Sequence, residues 1–177
     1  GIIGEVGING NPLTPNEIKS LQASARASRA TGAAISLHWG GTGREKLEVV
    51  SVLGEEGADM SRVIFGHSDS IACDMSLMLE LLGHGVYIQF DNLGLDTTPL
   101  YLQPLSDSIA DHQRMAKTAQ VVEAIPKLIE EGYEDRILLS QDVCKKEHLK
   151  CYGGNGYSFI LERVLPTLRG KGVSEEQ

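Results

Sequence analysis

Five short apolar runs, rich in Ile and Val, alternate with five stretches of helical character. That alternation restricts the fold more than any other feature of the chain. The runs are IIGEV (2–6), AISLHW (34–39), RVIFGHS (62–68), VYIQFDN (86–92) and RILLSQD (136–142). The first helix is expected from Thr14 to Thr31. It opens on TPNE, an N-cap Thr with Pro15 at the first helical position and Glu17 three residues on, and it stops at Gly32. Further helices are expected over 44–56, 74–82, 111–131 and 157–169, ending at Gly57, Gly83, Gly132 and Gly170. Strands that alternate with helices of this length form right-handed βαβ units, so the fold class is α/β with a parallel sheet. The runs show little apolar/polar alternation, which predicts a sheet covered on both faces.

With 177 residues, the chain can form one domain with a core, or part of a larger one. It carries 16 Lys and Arg against 24 Asp and Glu, a formal charge of −8, and no basic run. That balance argues against a nucleic-acid partner and against an anionic membrane surface. Three cysteines, Cys73, Cys144 and Cys151, form no disulfide framework and point to a reduced, cytoplasmic setting. No apolar stretch approaches the ~18 residues of a membrane helix. The chain begins at Gly1 rather than Met, so a missing leader carries no weight.

The polar residues of the apolar runs gather at their carboxyl ends: Glu5, His38, His67, Asp91 and Asp142. Ligands of parallel α/β folds bind at that end of the sheet. A carboxylate such as Glu5 in an apolar strand is costly unless it is solvated or held by a cation. Two imidazoles and two carboxylates on one rim suit Zn²⁺, Mn²⁺, Co²⁺ or Fe²⁺, any of which lowers the pKa of bound water towards ~7. The plainer readings are a hydrogen-bonded structural histidine and an Asp that caps the next helix.

Taken in order, GEVG, SLHWG, FGHSD and LLSQD resemble the phosphotriesterase family of the amidohydrolase superfamily. The segments EEGYEDRILLSQD and YGGNGYSFIL, with VLPTLRGKGVSEEQ after them, are similar to its phosphotriesterase-related branch. The resemblance covers essentially the whole chain. It implies the C-terminal part, strands four to eight, of a metal-dependent (β/α)₈ TIM barrel, with residues 1–177 as a partial domain lacking the first three strands and the last helix. Glu5 then matches a carboxylate that bridges two metals, and His38 and His67 match ligands of the more exposed ion. Asp142 matches a ligand of the more buried ion and the proton acceptor from the bridging water. The complete enzyme would hold two divalent ions, zinc foremost, and a homodimer is among the assemblies implied.

Three departures stand out. No His-x-His pair occurs, although the family's first strand carries one. Gln141 precedes Asp142 where many members have His or Asn. Asn92 follows Asp91 where lactonase-like members resemble Asp-Arg, which weakens a lactonase reading.

The expected function is hydrolysis of a small-molecule amide, ester, lactone or phosphoester by metal-activated hydroxide. The alternative is a catalytically incomplete half-barrel that binds a partner or completes a barrel with another chain. A metal-free enzyme using Asp91 and Asp142 as an acid/base pair ranks last, because it leaves both histidines unexplained. Candidate substrate contacts are Asp91, Tyr101 in the loop over 93–109, Arg114, and Tyr152 in the loop over 143–156. Surface tyrosines and a helix-pairing Arg are the competing readings. Trp39 is expected to pack behind the sheet. Gly153, Gly154 and Gly156 give a permissive backbone but no phosphate cradle, since no Lys-Ser/Thr follows. His84, His112 and His148 are expected to have no catalytic role, His148 because it sits in the charged run KKEHLK. Cys144 lies near Asp142 but has no obvious base to make it a nucleophile.

Overall fold

The computed structural model describes residues 1–39, 43–97 and 118–177, without the side chains of residues 39 and 97. Five strands form one parallel sheet in sequential order: β1 (Ile2–Ile8), β2 (Ala34–Trp39), β3 (Val63–Phe65), β4 (Tyr87–Phe90) and β5 (Ile137–Leu139). Between and after them run α1 (Pro15–Thr31), α2 (Lys46–Glu55), α3 (Met75–Gly83), α4 (Thr118–Glu130) and α5 (Leu165–Gly170). A π-helical turn, Ile160–Val164, leads into α5, where one continuous helix is expected from 157. Residues 111–117 of the expected fourth helix lie outside the described residues.

Right-handed crossovers between strands laid in sequential order put the helices on one face of the sheet. Ile35, Leu37, Val63, Phe65, Ile88 and Phe90 are fully buried on that face. They meet Leu21 and Ala25 of α1, Val49 and Leu53 of α2, Leu77, Met78 and Leu81 of α3, and Val121, Ile125 and Leu128 of α4 in one apolar core. The other face is not covered to the same degree. Burial alternates along β3 and β4 between buried and half-buried residues, and Ser36 and His38 are half-buried between the buried residues of β2. The expectation of a sheet covered on both faces is therefore corrected. Small and polar residues, not apolar ones, occupy the second face of β2, so nothing drives it to the same burial.

The N-terminal cap of α1 forms as its residues dictate. Thr14 and Glu17 close a capping box, Pro15 stands in the first turn, and Gly32 ends the helix in the left-handed conformation (φ 73°). Glu17 does more than cap. Its carboxylate accepts from the amides of Asn9 (2.5 Å), Gly10 (2.9 Å) and Thr14 (2.8 Å) and from Thr14 Oγ1 (2.7 Å), so it fixes the whole turn from β1 into α1. These bonds, led by the one from Asn9, bring its pKa down from 4.5 to about 2, against the opposing effect of burial. A depressed carboxylate pKa stabilises the fold above the unfolded value, and that stability is lost as pH falls through the folded one. Glu17→Gln should therefore lower the melting temperature near pH 7, and the deficit should shrink between about pH 5 and about pH 2.5. Thermal unfolding of both proteins across that range checks this. A deficit independent of pH would show that the charge of Glu17 is not what holds the turn.

Candidate metal centre

Two carbonyls of β2 set how closely the neighbouring strands approach. A Cβ added to Gly4 would lie 2.5 Å from Ser36 O, and one added to Gly66 would lie 2.5 Å from Leu37 O. The Gly66 amide also donates to Leu37 O at 3.0 Å, which extends the ladder one step past β3. Each of these glycines stands directly before a chemically active residue, Glu5 and His67. The register of β1 against β2 slips between Ile3 and Val6, at the level of Glu5. His67 adopts a left-handed backbone (φ 50°, ψ 34°), uncommon for a residue other than glycine.

The result is a three-residue cluster. His38 Nδ1 lies 3.0 Å from Glu5 Oε2 and 2.9 Å from His67 Nε2. The imidazoles meet edge to face, with centroids 4.5 Å apart and planes at 88°. One ligand-type atom from each residue falls within 4.8 Å of the other two. His67 is buried, whereas the side chains of Glu5 and His38 are 52% and 45% exposed.

Glu5 lies within β1 rather than at its end, whereas His38 is the penultimate residue of β2, which has the expected bounds. β1 runs on to Ile8, and Gly7 pairs with His38. The strands before His67 and Asp142 are shorter than expected. Both residues lie past them with positive φ, 50° and 42°.

Behind His67 sits Asp91, and here the structure corrects a reading. Asp91 was a candidate substrate contact, but its carboxylate is 2% exposed and already occupied. It accepts from His67 Nδ1 (2.6 Å), the His67 amide (3.0 Å), Gln89 Nε2 (2.6 Å) and Asn92 Nδ2 (3.0 Å). A carboxylate can only accept, so Nδ1 carries the proton and His67 Nε2 presents a lone pair to His38 and Glu5. Burial alone would disfavour charge on His67. The hydrogen bond and charge of Asp91, with the charges of Asp142 and Glu5, outweigh it and raise the imidazole pKa. Burial likewise opposes charge on Asp91, but the bonds and charge of His67 hold its pKa below the ordinary value.

Two charged groups that sequence reading missed complete this region. Asp69, 1% exposed, accepts from the amides of Asp91 (3.0 Å) and Asn92 (3.3 Å) and from Asn92 Nδ2 (3.2 Å), which ties the exit of β3 to that of β4. Burial, then the neighbouring Asp91 charge, push its pKa up to about 6. Lys46 is fully buried, with Nζ 5.7 Å from the Phe65 ring centroid. Burial brings its pKa down to about 8, against the charges of Glu45, Asp91 and Asp69. Asp69, two residues after His67 in FGHSDS, gave a weak signal in the sequence; Lys46 gave none.

The remaining candidates are placed unevenly. Asp142 lies close enough for its charge to act on His67, but it is not one of the three clustered residues. Its Oδ2 lies 3.8 Å from Cys144 Sγ, and burial together with the Asp142 charge pushes the thiol pKa up, which disfavours the thiolate. The Tyr152 ring, 58% exposed, meets Lys146 Nζ at 5.8 Å and none of the cluster. Tyr101, Arg114, His112 and the Trp39 side chain lie outside the described residues. His84 is exposed, but His148 is buried at 3% exposure, contrary to the expectation from its charged neighbours.

With Asp91 holding the Nδ1 proton of His67, the three facing atoms share at most one proton while both rings are neutral. Those atoms direct electron pairs towards one another, an arrangement that suits a divalent cation. The donor set of two imidazole nitrogens and a carboxylate fits such an ion, and Asp91 supplies the outer carboxylate that metal-binding histidines commonly have.

A parallel α/β sheet that carries a His–His–Glu cluster on its less covered face is a class with many members, and comparison narrows it. The phosphotriesterase family model matches residues 1–177, and the chain belongs to that family. It is 40% identical over 175 residues to N-acetyltaurine hydrolase of Dictyostelium discoideum and 37% identical to that of Homo sapiens. It is 38% identical over 177 residues to the phosphotriesterase-related protein of Nematostella vectensis. These matches take in 99–100% of the chain but 45–48% of the relatives, so the chain spans about half their length. Among solved structures, the resiniferatoxin-binding protein of Rhodobacter sphaeroides aligns with TM-score 0.85 at 34% identity, over 99% of this chain and 46% of that one. The phosphotriesterase homology protein of Escherichia coli, solved with phosphate in its active site, aligns with TM-score 0.77 at 30% identity, over 99% and 54%.

If Gly66 is what lets His67 approach β2, Gly66→Ala should cost about 1–3 kcal/mol, as overpacking against fixed backbone does. Gly7→Ala, with open space at its Cβ position, should be near neutral by comparison. Urea denaturation of the two variants tests this, and equal losses would overturn the assignment.

Proposed function

We propose that the chain is the strand-four-to-eight part of a metal-dependent (β/α)₈ hydrolase that cleaves the amide of a small N-acylated amine. The observation that carries this reading is the convergence of Glu5, His38 and His67, with Asp91 fixing the His67 tautomer, in a chain the family model matches along its whole length. Family membership supports hydrolysis. The relatives named N-acetyltaurine hydrolase favour an amide over a lactone or phosphoester. The three unpaired, exposed cysteines suit a reducing compartment, which we take to be the cytoplasm. No helix among the described residues is long and apolar enough to cross a membrane.

In this reading Glu5, His38 and His67 hold one divalent ion, with zinc as the first candidate. In the complete barrel, Glu5 and Asp142 would be among the residues that hold a second. A bound ion supplies Lewis acidity at the scissile carbonyl oxygen and a water of lowered pKa. Asp142 takes the proton of the attacking water at its carboxylate and returns a proton to the departing nitrogen. Asp91 keeps His67 Nε2 bare and aimed at the ion.

Elemental analysis of the purified chain should find about one divalent ion per chain, lost in both His38→Ala and His67→Ala. Folded wild-type protein without metal, or variants that keep it, would sink the one-ion site. Substrate class is checked separately on the complete barrel, by following hydrolysis of N-acetyltaurine in NMR spectra beside that of a lactone and a phosphotriester. The amide should turn over fastest, and Asp142→Asn should abolish turnover. Faster lactone or phosphotriester cleavage would overturn the amide assignment.

A further inference from the structure

The loop after β5 is built around a buried histidine. His148 Nδ1 lies 3.2 Å from the main-chain oxygen of Asp142, and Nε2 is buried with no hydrogen-bond partner among the described residues. A carbonyl oxygen only accepts, so Nδ1 carries the proton and Nε2 is bare. Among the described residues the ring makes one polar contact, and that contact is to Asp142.

The rest of the loop presses His148 into place. The Gly156 amide donates to His148 O at 2.8 Å, and the Gly154 amide to Leu149 O at 3.1 Å. A Cβ on Gly154 would collide with the main chain of Glu147 and His148, so only glycine fits there. Gly153 and Gly156 turn with positive φ, 93° and 65°. Asn155 Nδ2 anchors the loop to Gly94 O after β4 at 2.6 Å, and Gln141 Nε2 reaches Tyr157 O at 2.8 Å. YGGNGY is thus a clamp that delivers one imidazole to one carbonyl. That carbonyl belongs to a residue whose left-handed backbone (φ 42°) needs holding.

We infer that His148 is a positioning residue for Asp142: its Nδ1–H bond to Asp142 O fixes the backbone that aims the Asp142 carboxylate at the metal centre. The assignment of a task to that carboxylate rests on the function proposed above; the hydrogen bond and its effect on the backbone do not. Asn at position 148 can place an amide N–H near Nδ1 but offers nothing at Nε2, whereas Leu keeps bulk and removes both.

The test combines NMR with metal titration on the whole chain. Long-range ¹H–¹⁵N correlation should show His148 as the Nδ1–H tautomer. Exchange of the Cys144 amide, which donates to Asp142 O at 2.8 Å, should accelerate in His148→Leu and return towards wild type in His148→Asn. With Co²⁺ bound by Glu5, His38 and His67, the paramagnetic shift of the Asp142 carboxylate carbon, which reads its distance and direction from that site, should change in His148→Leu and return towards wild type in His148→Asn. An Nε2–H tautomer, or a His148→Asn variant no better than His148→Leu in amide exchange, would overturn the positioning role. Wild-type protein that binds no Co²⁺ while the tautomer and exchange results hold would fail the metal reading alone. Exchange that slows again in His148→Asn while the Asp142 carboxylate shift is the same in all three proteins would overturn the aiming of Asp142.

Discussion

The main-chain oxygens of Ser36 and Leu37 are the fixed points on which the site depends. Strands of a parallel sheet lie near 4.8 Å apart, so side chains at one level on the same face of adjacent strands are within reach of one another. Gly4 and Gly66 remove the Cβ atoms that would stand against those oxygens. The residues that follow can then turn in over β2. Glu5 does so through a slip in register, and His67 through a left-handed backbone just past β3. His38, on the strand between them, needs no such device. Side chains from β1, β2 and the exit of β3 thus meet around His38, which lies within hydrogen-bond distance of both others, although no two are neighbours in sequence.

Beneath that meeting point the structure places two buried carboxylates within one hydrogen-bonded group, and their surroundings separate them. Both suffer desolvation. Asp91 receives a donor with a charge to give, the His67 imidazole, and its pKa is lowered. Asp69 receives amide donors only and feels the Asp91 charge, and its pKa is raised. The same logic acts on Lys46, whose buried ammonium is made less basic yet is retained by the carboxylates nearby. An arrangement of this kind is expensive to break, because removing any one member leaves buried charge uncompensated. It also joins the ends of β3 and β4 rigidly, so the direction of His67 Nε2 is set by the frame rather than by the side chain's own preferences.

Much of the frame was legible in the sequence. The five strands, the capping box at Thr14 and the stop at Gly32 follow from local patterns that need no knowledge of distant residues. The identities of Glu5, His38 and His67 as chemically notable residues also followed, because a charged or imidazole group in an apolar run is conspicuous. What failed was information carried by tertiary contact. The sequence shows that Asp91 ends an apolar run but not that His67 Nδ1 will occupy it. It shows His148 among lysines and a glutamate. Only the turns at Gly153 and Gly156 reveal that the chain folds inward there, so that the charged neighbours point out and the imidazole points in. The pattern in YGGNGY was visible; its purpose was not, since a permissive backbone is compatible with many tasks.

The exposure of the cluster sets a physical condition on any chemistry it performs. Glu5 and His38 are each about half open to solvent, and charges in water interact weakly and exchange partners readily. Stabilising the developing charge of a hydrolytic transition state works best where water is excluded and donors are fixed. The helix-covered face already meets that standard for the core, while the face that carries Glu5 and His38 does not. The alternation of buried and half-buried residues along β3 and β4 points the same way: that face carries Ile64 and Gln89, each only half-buried. In the reading proposed here, the remaining strands of the barrel close over this face. There they would raise the electrostatic worth of Glu5, His38 and Asp142 by lowering the dielectric around them.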